Sequence, residues 1–126
     1  SWAGKIRTVD ISKDGMLFCP AIHLKENLKP FEKLLQKYVP IGKDSKREMA
    51  RKLAVIHNEF NALHPFREGN GRTIRLFLDL MAISLGYRQI KYKQAGQKAY
   101  FAACRAGMNT DHEKMEEVIF KGLTKN

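Results

Sequence analysis

The chain has 126 residues, enough for one domain with a core of its own and too few for two. Hydrophobic residues make up 44%, no apolar run approaches the roughly 20 residues of a membrane span, and Cys19 and Cys104 form no metal-binding pattern. A net charge of +10 favours an anionic partner, but the basic residues are scattered without an RNA-binding motif or DNA-reading module, so nucleic acid is not expected.

The opening Ser1-Trp2-Ala3-Gly4 shows neither an initiator Met nor a signal-peptide pattern and reads as the cut edge of a longer protein. Residues 5–20 predict a β-hairpin: Ile6, Thr8, Val9 and Ile11 favour strand, Asp14-Gly15 supplies the turn, and Met16 to Cys19 return. A lone hairpin exposes a strand edge, which is either covered or lent to an extended segment of another chain. After Pro20, the residues Leu28, Phe31, Leu34, Leu35 and Tyr38 recur at helical spacing until Pro40 and Gly42, predicting a core helix. Ser45-Lys-Arg-Glu48 is a capping box, and Met49, Leu53, Ile56, Phe60 and Leu63 line one face of the helix it opens. Pro65 disfavours helical geometry at His64, so that helix should end there with the imidazole at its tip. Further on, Ile74, Phe77, Leu78, Met81 and Leu85 form the expected buried stripe of another helix, closed by Gly86. The alanine-rich residues 94–107, with Tyr100, Phe101 and Cys104, predict a helix. Thr110-Asp-His-Glu113 is a second capping box, introducing a final helix with Met115, Val118, Ile119 and Leu123 inward. The expected fold is all-α, a helical bundle with a small β-hairpin flap near the N-terminus, in one domain over 1–126.

The chemistry concentrates in residues 64–75, His-Pro-Phe-Arg-Glu-Gly-Asn-Gly-Arg-Thr-Ile-Arg. Gly69, Asn70 and Gly71 stand where the next helix should start, so free backbone N–H groups and the positive helix end point at one spot suited to an anion. Arg72 and Arg75 share a face of that helix and offer two planar donor forks for phosphate oxygens. Glu68 supplies one carboxylate, which with nucleotide phosphates is the usual set for Mg²⁺. The inferred ligand is Mg-nucleotide. Phe66 reads as an apolar anchor for the loop. Arg75 has a second reading, an ion pair with Asp79 one turn on, and His57, seven residues before His64, fits no common zinc spacing.

The stretch resembles the active-site motif of the Fic family, His-Pro-Phe-x-(Asp or Glu)-Gly-Asn-Gly-Arg-x-x-Arg, with every fixed position occupied. The resemblance implies a Fic-like helical bundle that transfers AMP from ATP to a Ser, Thr or Tyr hydroxyl of a protein, releasing pyrophosphate. By that likeness His64 is the general base, Glu68 holds Mg²⁺, Gly69, Asn70 and Gly71 bind α- and β-oxygens, and Arg72 and Arg75 grip β and γ. It also implies that flap residues Ile11, Ser12 and Lys13 lie close to the nucleotide, and that Tyr100, Phe101 and Asn109 are the nearest candidates to border the adenine. The target would dock on Ile6, Arg7, Thr8, Val9 and Asp10 of the flap.

Doc-like relatives, which act as kinases, carry lysine where this chain has Gly71, while transfer of UMP or phosphocholine by other relatives is not separated by the motif. A binding module with a silent site is the alternative from another class. Many Fic-like proteins are held off by a helix of pattern (Ser or Thr)-x-x-x-Glu-(Gly or Asn) whose Glu pairs with the second motif arginine, here Arg75, and the pattern does not occur in this sequence. The inhibitor is therefore expected outside these residues or on a separate antitoxin. Related domains have a further helix before the start of this chain. No membrane partner is expected. The expected location is the cytoplasm, or another cell's cytoplasm if the protein is an effector.

Overall fold

The computed structural model describes residues 4–126, so most of the reading of the opening four residues lies outside the described part. Five helices follow a minimal hairpin: β1 (Ser12–Lys13), β2 (Met16–Leu17), α1 (Leu24–Tyr38), α2 (Lys46–Leu63), α3 (Asn70–Ser84), α4 (Gln97–Met108) and α5 (Glu113–Gly122). The all-α expectation holds. No helix among the described residues is long and apolar enough to cross a membrane.

The centre of the bundle is α2, which packs against each of the other four helices. Its start is fixed as the sequence dictates: Glu48 N–H donates to Ser45 Oγ and Ser45 N–H donates back to the Glu48 carboxylate. Met49, Leu53 and Ile56 are buried, and the core continues through Ile74, Leu78 and Ala82 of α3, Ala103 of α4, and Met115, Val118 and Ile119 of α5. The chain end closes the bundle from below, where Leu123 is buried and Asn126 N–H donates to Gly86 C=O.

Four expectations need correction. The hairpin is far shorter than residues 5–20 predict: Ser12 pairs with Leu17 and Lys13 with Met16, around Asp14 and Gly15 with φ 51° and 79°. Ile6 instead forms an antiparallel bridge with Phe66, which draws this segment to the loop after α2 and away from the return strand. The α3 stripe is rotated: Asp79 and Ala82 take inward positions, while Phe77 joins Leu76, Leu80 and Ile83 on an exposed apolar face. The second capping box does not form, since Thr110 sits at φ 61° with its hydroxyl donating to Asn109 C=O, and Glu113 N–H donates to Asp111 Oδ1 instead. Finally, α4 begins after Gly96, whose φ of 101° is closed to most side chains, three residues later than predicted.

Candidate active site

His64 is the first residue past α2 and stands in the left-handed region at φ 47°, not in the extended geometry that a following proline favours. A non-glycine residue persists there only when its surroundings over-determine it. The determinant is Arg7, 4% exposed, which threads beneath the helix end. Its Nε–H donates to His64 C=O at 2.7 Å, one Nη to Leu63 C=O at 3.0 Å and to Cys19 C=O, and the other to Val9 C=O at 2.8 Å. Arg7 N–H also donates to Pro65 C=O at 2.9 Å. A cation thus meets the negative end of α2 and satisfies carbonyls the helix leaves open.

The imidazole stacks on buried Phe18, with ring centroids 3.7 Å apart and planes 5° from parallel. Burial lowers its pKa to about 4, against an opposing pull from the Asn61 carbonyl, and the charges of Arg7 and Lys13 push the same way as burial. The ring is therefore neutral at pH 7 and able to accept a proton. Its Nδ1 is buried and meets no hydrogen-bond partner among the described residues.

The loop after His64 is closed by Asn70, whose Oδ1 accepts the Phe66 N–H at 2.8 Å while its Nδ2–H donates to Phe66 C=O at 2.7 Å. Phe66 is half-buried, its ring 6.5 Å from that of Phe60. Gly69 caps α3 at φ 79° without a side-chain cap, and the ladder starts with Thr73 N–H donating to Gly69 C=O. The N–H groups of Asn70, Gly71 and Arg72 stay outside the ladder, an anion cradle made of backbone.

One cavity of about 530 Å³ gathers most of the expected residues: Ile11, Ser12, Lys13, His64, Glu68, Gly69, Asn70, Gly71, Arg72, Arg75, Tyr100 and Phe101. Asn109 does not line it, being exposed at the far end of α4. Asn70 enters through its backbone more than its side chain, because its amide is committed to Phe66. Tyr100 is buried and its hydroxyl faces Arg75 and His57, whereas Phe101 is exposed. In the expected docking segment Ile6–Asp10, Thr8 and Val9 are exposed while the other three residues make contacts within the fold. Ile6 and Arg7 are bound to the loop at 63–66 and Asp10 Oδ1 accepts the Ala21 N–H, so these groups serve the fold. Arg75 makes no ion pair with Asp79, whose Oδ1 accepts the Ile90 N–H at 3.0 Å.

Sequence reasoning missed Phe18, Asn61 and Cys104 as cavity residues and gave Arg7 to the docking flap, not to the end of α2. Only Arg7 carried a local signal, a lone arginine amid strand formers, and it pointed toward a surface role. The other three reach the cavity through tertiary packing.

Fold and cavity together define a helical domain in which a neutral histidine faces an anion cradle and two guanidinium groups. The model of the Fic/DOC family matches residues 1–82, and the chain belongs to that family. It is 37% identical over 123 residues to the protein adenylyltransferase VbhT of Bartonella schoenbuchensis, covering 98% of this chain and 26% of that protein. It is 31% identical over 121 residues to the probable protein adenylyltransferase Fic of Escherichia coli K12, covering 95% of this chain and 60% of that protein. The chain thus spans about a quarter and three fifths of these relatives. In fold it resembles the N-terminal Fic domain of a Bartonella effector protein from Bartonella sp. AR 15-3, with TM-score 0.81 at 19% identity over 98% of this chain and 63% of that one. It also resembles BepC of Bartonella tribocorum, solved with bound AMPPNP, with TM-score 0.77 at 21% identity over 99% and 67%.

Proposed function

We propose that this domain transfers AMP from ATP to a hydroxyl of a protein target and releases pyrophosphate. One observation carries the reading: a neutral imidazole shares a single cavity with the free amides at the start of α3 and with Arg72 and Arg75. The target oxygen attacks the α-phosphorus while its proton passes to His64, and the bond from that phosphorus to the β-bridging oxygen breaks. The amides of residues 70–72 receive the charge developing on the phosphate oxygens, and the two arginines hold the departing pyrophosphate. In this reading Glu68, exposed on the cavity wall, supplies the carboxylate that would hold Mg²⁺. That ion would neutralise charge between the α- and β-phosphates. The names of the relatives and the AMPPNP in the BepC structure support the reading.

Gly71 weighs against a Doc-like kinase. A Cβ there would lie 2.9 Å from Arg75 Nη1, so a larger residue would require the end of the Arg75 side chain to move. The target docks, in this reading, by pairing an extended segment with the hairpin edge at Ser12 or Leu17, in place of the expected Ile6–Asp10. An inhibitory helix or antitoxin would act by contacting Arg75 on the cavity wall.

The test supplies Mg²⁺ and ATP radiolabelled at the α- or the γ-phosphate, in parallel, together with a cell lysate. Protein-bound label is expected from the α-position alone and lost in His64→Ala. Label from the γ-position alone would replace this reading with a kinase.

A further inference from the structure

Arg75 sits in a built slot. On one side Gly71 offers no Cβ, and on the other the Arg75 Nη1–H donates to the Tyr100 hydroxyl at 3.4 Å. The Tyr100 oxygen in turn lies 2.8 Å from Nε2 of His57, deep in α2 and 1% exposed. A guanidinium can only donate, so the Tyr100 oxygen accepts from Arg75, and because a hydroxyl both donates and accepts, its bond to His57 Nε2 closes the chain in either imidazole tautomer. The backbone on the other side is fixed too, since Tyr92 O–H donates to Arg75 C=O at 3.3 Å. None of His57, Tyr92 or Asp79 reaches the cavity, so their order serves the two members that do, Tyr100 and, beyond it, Arg75.

We propose that His57 and Tyr100 are positioning residues for Arg75, a tether through two hydrogen bonds that holds its guanidinium at the polyphosphate end of the cavity. The inference rests on the nucleotide reading above. Its consequence is selective: an untethered Arg75 weakens the grip on terminal phosphates and leaves contacts to the α-phosphate and nucleoside unchanged. The role assigns a task to a histidine that otherwise buries a polar ring with no return.

The experiment measures ATP and AMP affinity by calorimetry for the 126-residue chain and four variants, with thermal melting in parallel. Tyr100→Phe removes only the hydroxyl and is expected to weaken ATP binding about tenfold and AMP binding less than about twofold, the difference matching one lost charged hydrogen bond. His57→Leu should do the same, whereas His57→Gln, which keeps an acceptor within reach of the Tyr100 hydroxyl, should restore the preference for ATP. The double variant Tyr100→Phe/His57→Leu should lose no more than either single one. Equal weakening of ATP and AMP, or an unchanged ratio in Tyr100→Phe, would overturn the tether and leave the nucleotide reading standing. No ATP binding by the wild-type chain would overturn both.

Discussion

Two segments face each other across the cavity, and they are held in opposite ways. The loop at 64–70 has its backbone tied from every side, by Arg7 beneath, Asn70 across and Ile6 alongside. The hairpin has two residue pairs and a tip exposed to solvent. A left-handed histidine followed by proline is a costly conformation, stable only where neighbours leave no alternative. A two-pair hairpin is one of the least stable elements a chain can form. The difference teaches a division of labour: the tied side fixes the position of His64, and the open side leaves outward backbone groups at its edge.

The largest effect should come from removing the group that the tied side presents. His64→Ala is expected to reduce label transfer by roughly 10²- to 10⁴-fold while ATP binding changes less than about threefold. A comparable loss of ATP affinity would make His64 a binding residue.

Next is the clamp itself. Arg7→Met keeps an apolar stem yet strands the carbonyls of Leu63, His64, Val9 and Cys19. It should cost about 3–4 kcal/mol in urea denaturation. A cost below about 1 kcal/mol would mean that the left-handed turn stands without its clamp.

The helix that carries His64 holds a second depressed histidine. Burial lowers His57 to about 4 from an ordinary value of 6.5, with Arg75 adding to the effect and the Asn58 side chain opposing it. Since the native pKa lies below the unfolded one, the unfolded chain binds more protons between pH 4 and 6.5, and stability falls as pH drops through that window. The His57 share is on the order of 3 kcal/mol. His64 contributes in the same direction and less, being half open to the cavity. His57→Gln should flatten the slope, which denaturation at a series of pH values would show.

A smaller effect is expected at Gly71→Ala. The added Cβ displaces only the far end of the Arg75 side chain, so melting should hold while ATP affinity falls about three- to tenfold. An unchanged affinity would show that Arg75 finds an equivalent seat.

Much of this was legible in the sequence because the signals were local. The capping box at Ser45, the periodic stripes of α2 and α5, and the glycines around Asn70 each act within a turn or two of chain. The same holds for the cavity residues of 64–75, which one short stretch brings together. What the sequence hid depends on distant partners. Nothing near Arg7 says that it lies under a helix end 57 residues away. Thr110 has the letters of a cap and loses the role to a left-handed turn set by the packing of α4 on α5. Phe77 matched the helical period but fell on the outward side, because the buried positions of α3 are set by α2. Nothing near Tyr100 says that its hydroxyl faces His57 across 43 residues of sequence.

The open side gives the smallest effect on stability and the most selective one on function. Lys13 and Met16 flank the turn as a hydrogen-bonded pair, and Phe18 N–H donates to Ile11 C=O, so the N–H groups of Ser12 and Leu17 between them point outward. Leu17 is 74% exposed, and its side chain adds little to the core. Leu17→Pro therefore removes one outward donor without breaking the hairpin's own ladder, and should change stability by less than about 1 kcal/mol. If a target adds a strand at this edge, labelling of protein in trans should fall about five- to tenfold while ATP binding is untouched. Leu17→Ala deletes the side chain and keeps the N–H, and it should label as the wild type does. Equal losses in the two variants would mean that the side chain, and not the backbone edge, meets the target; no loss in Leu17→Pro would move docking to the Ser12 edge, where Ser12→Pro repeats the test.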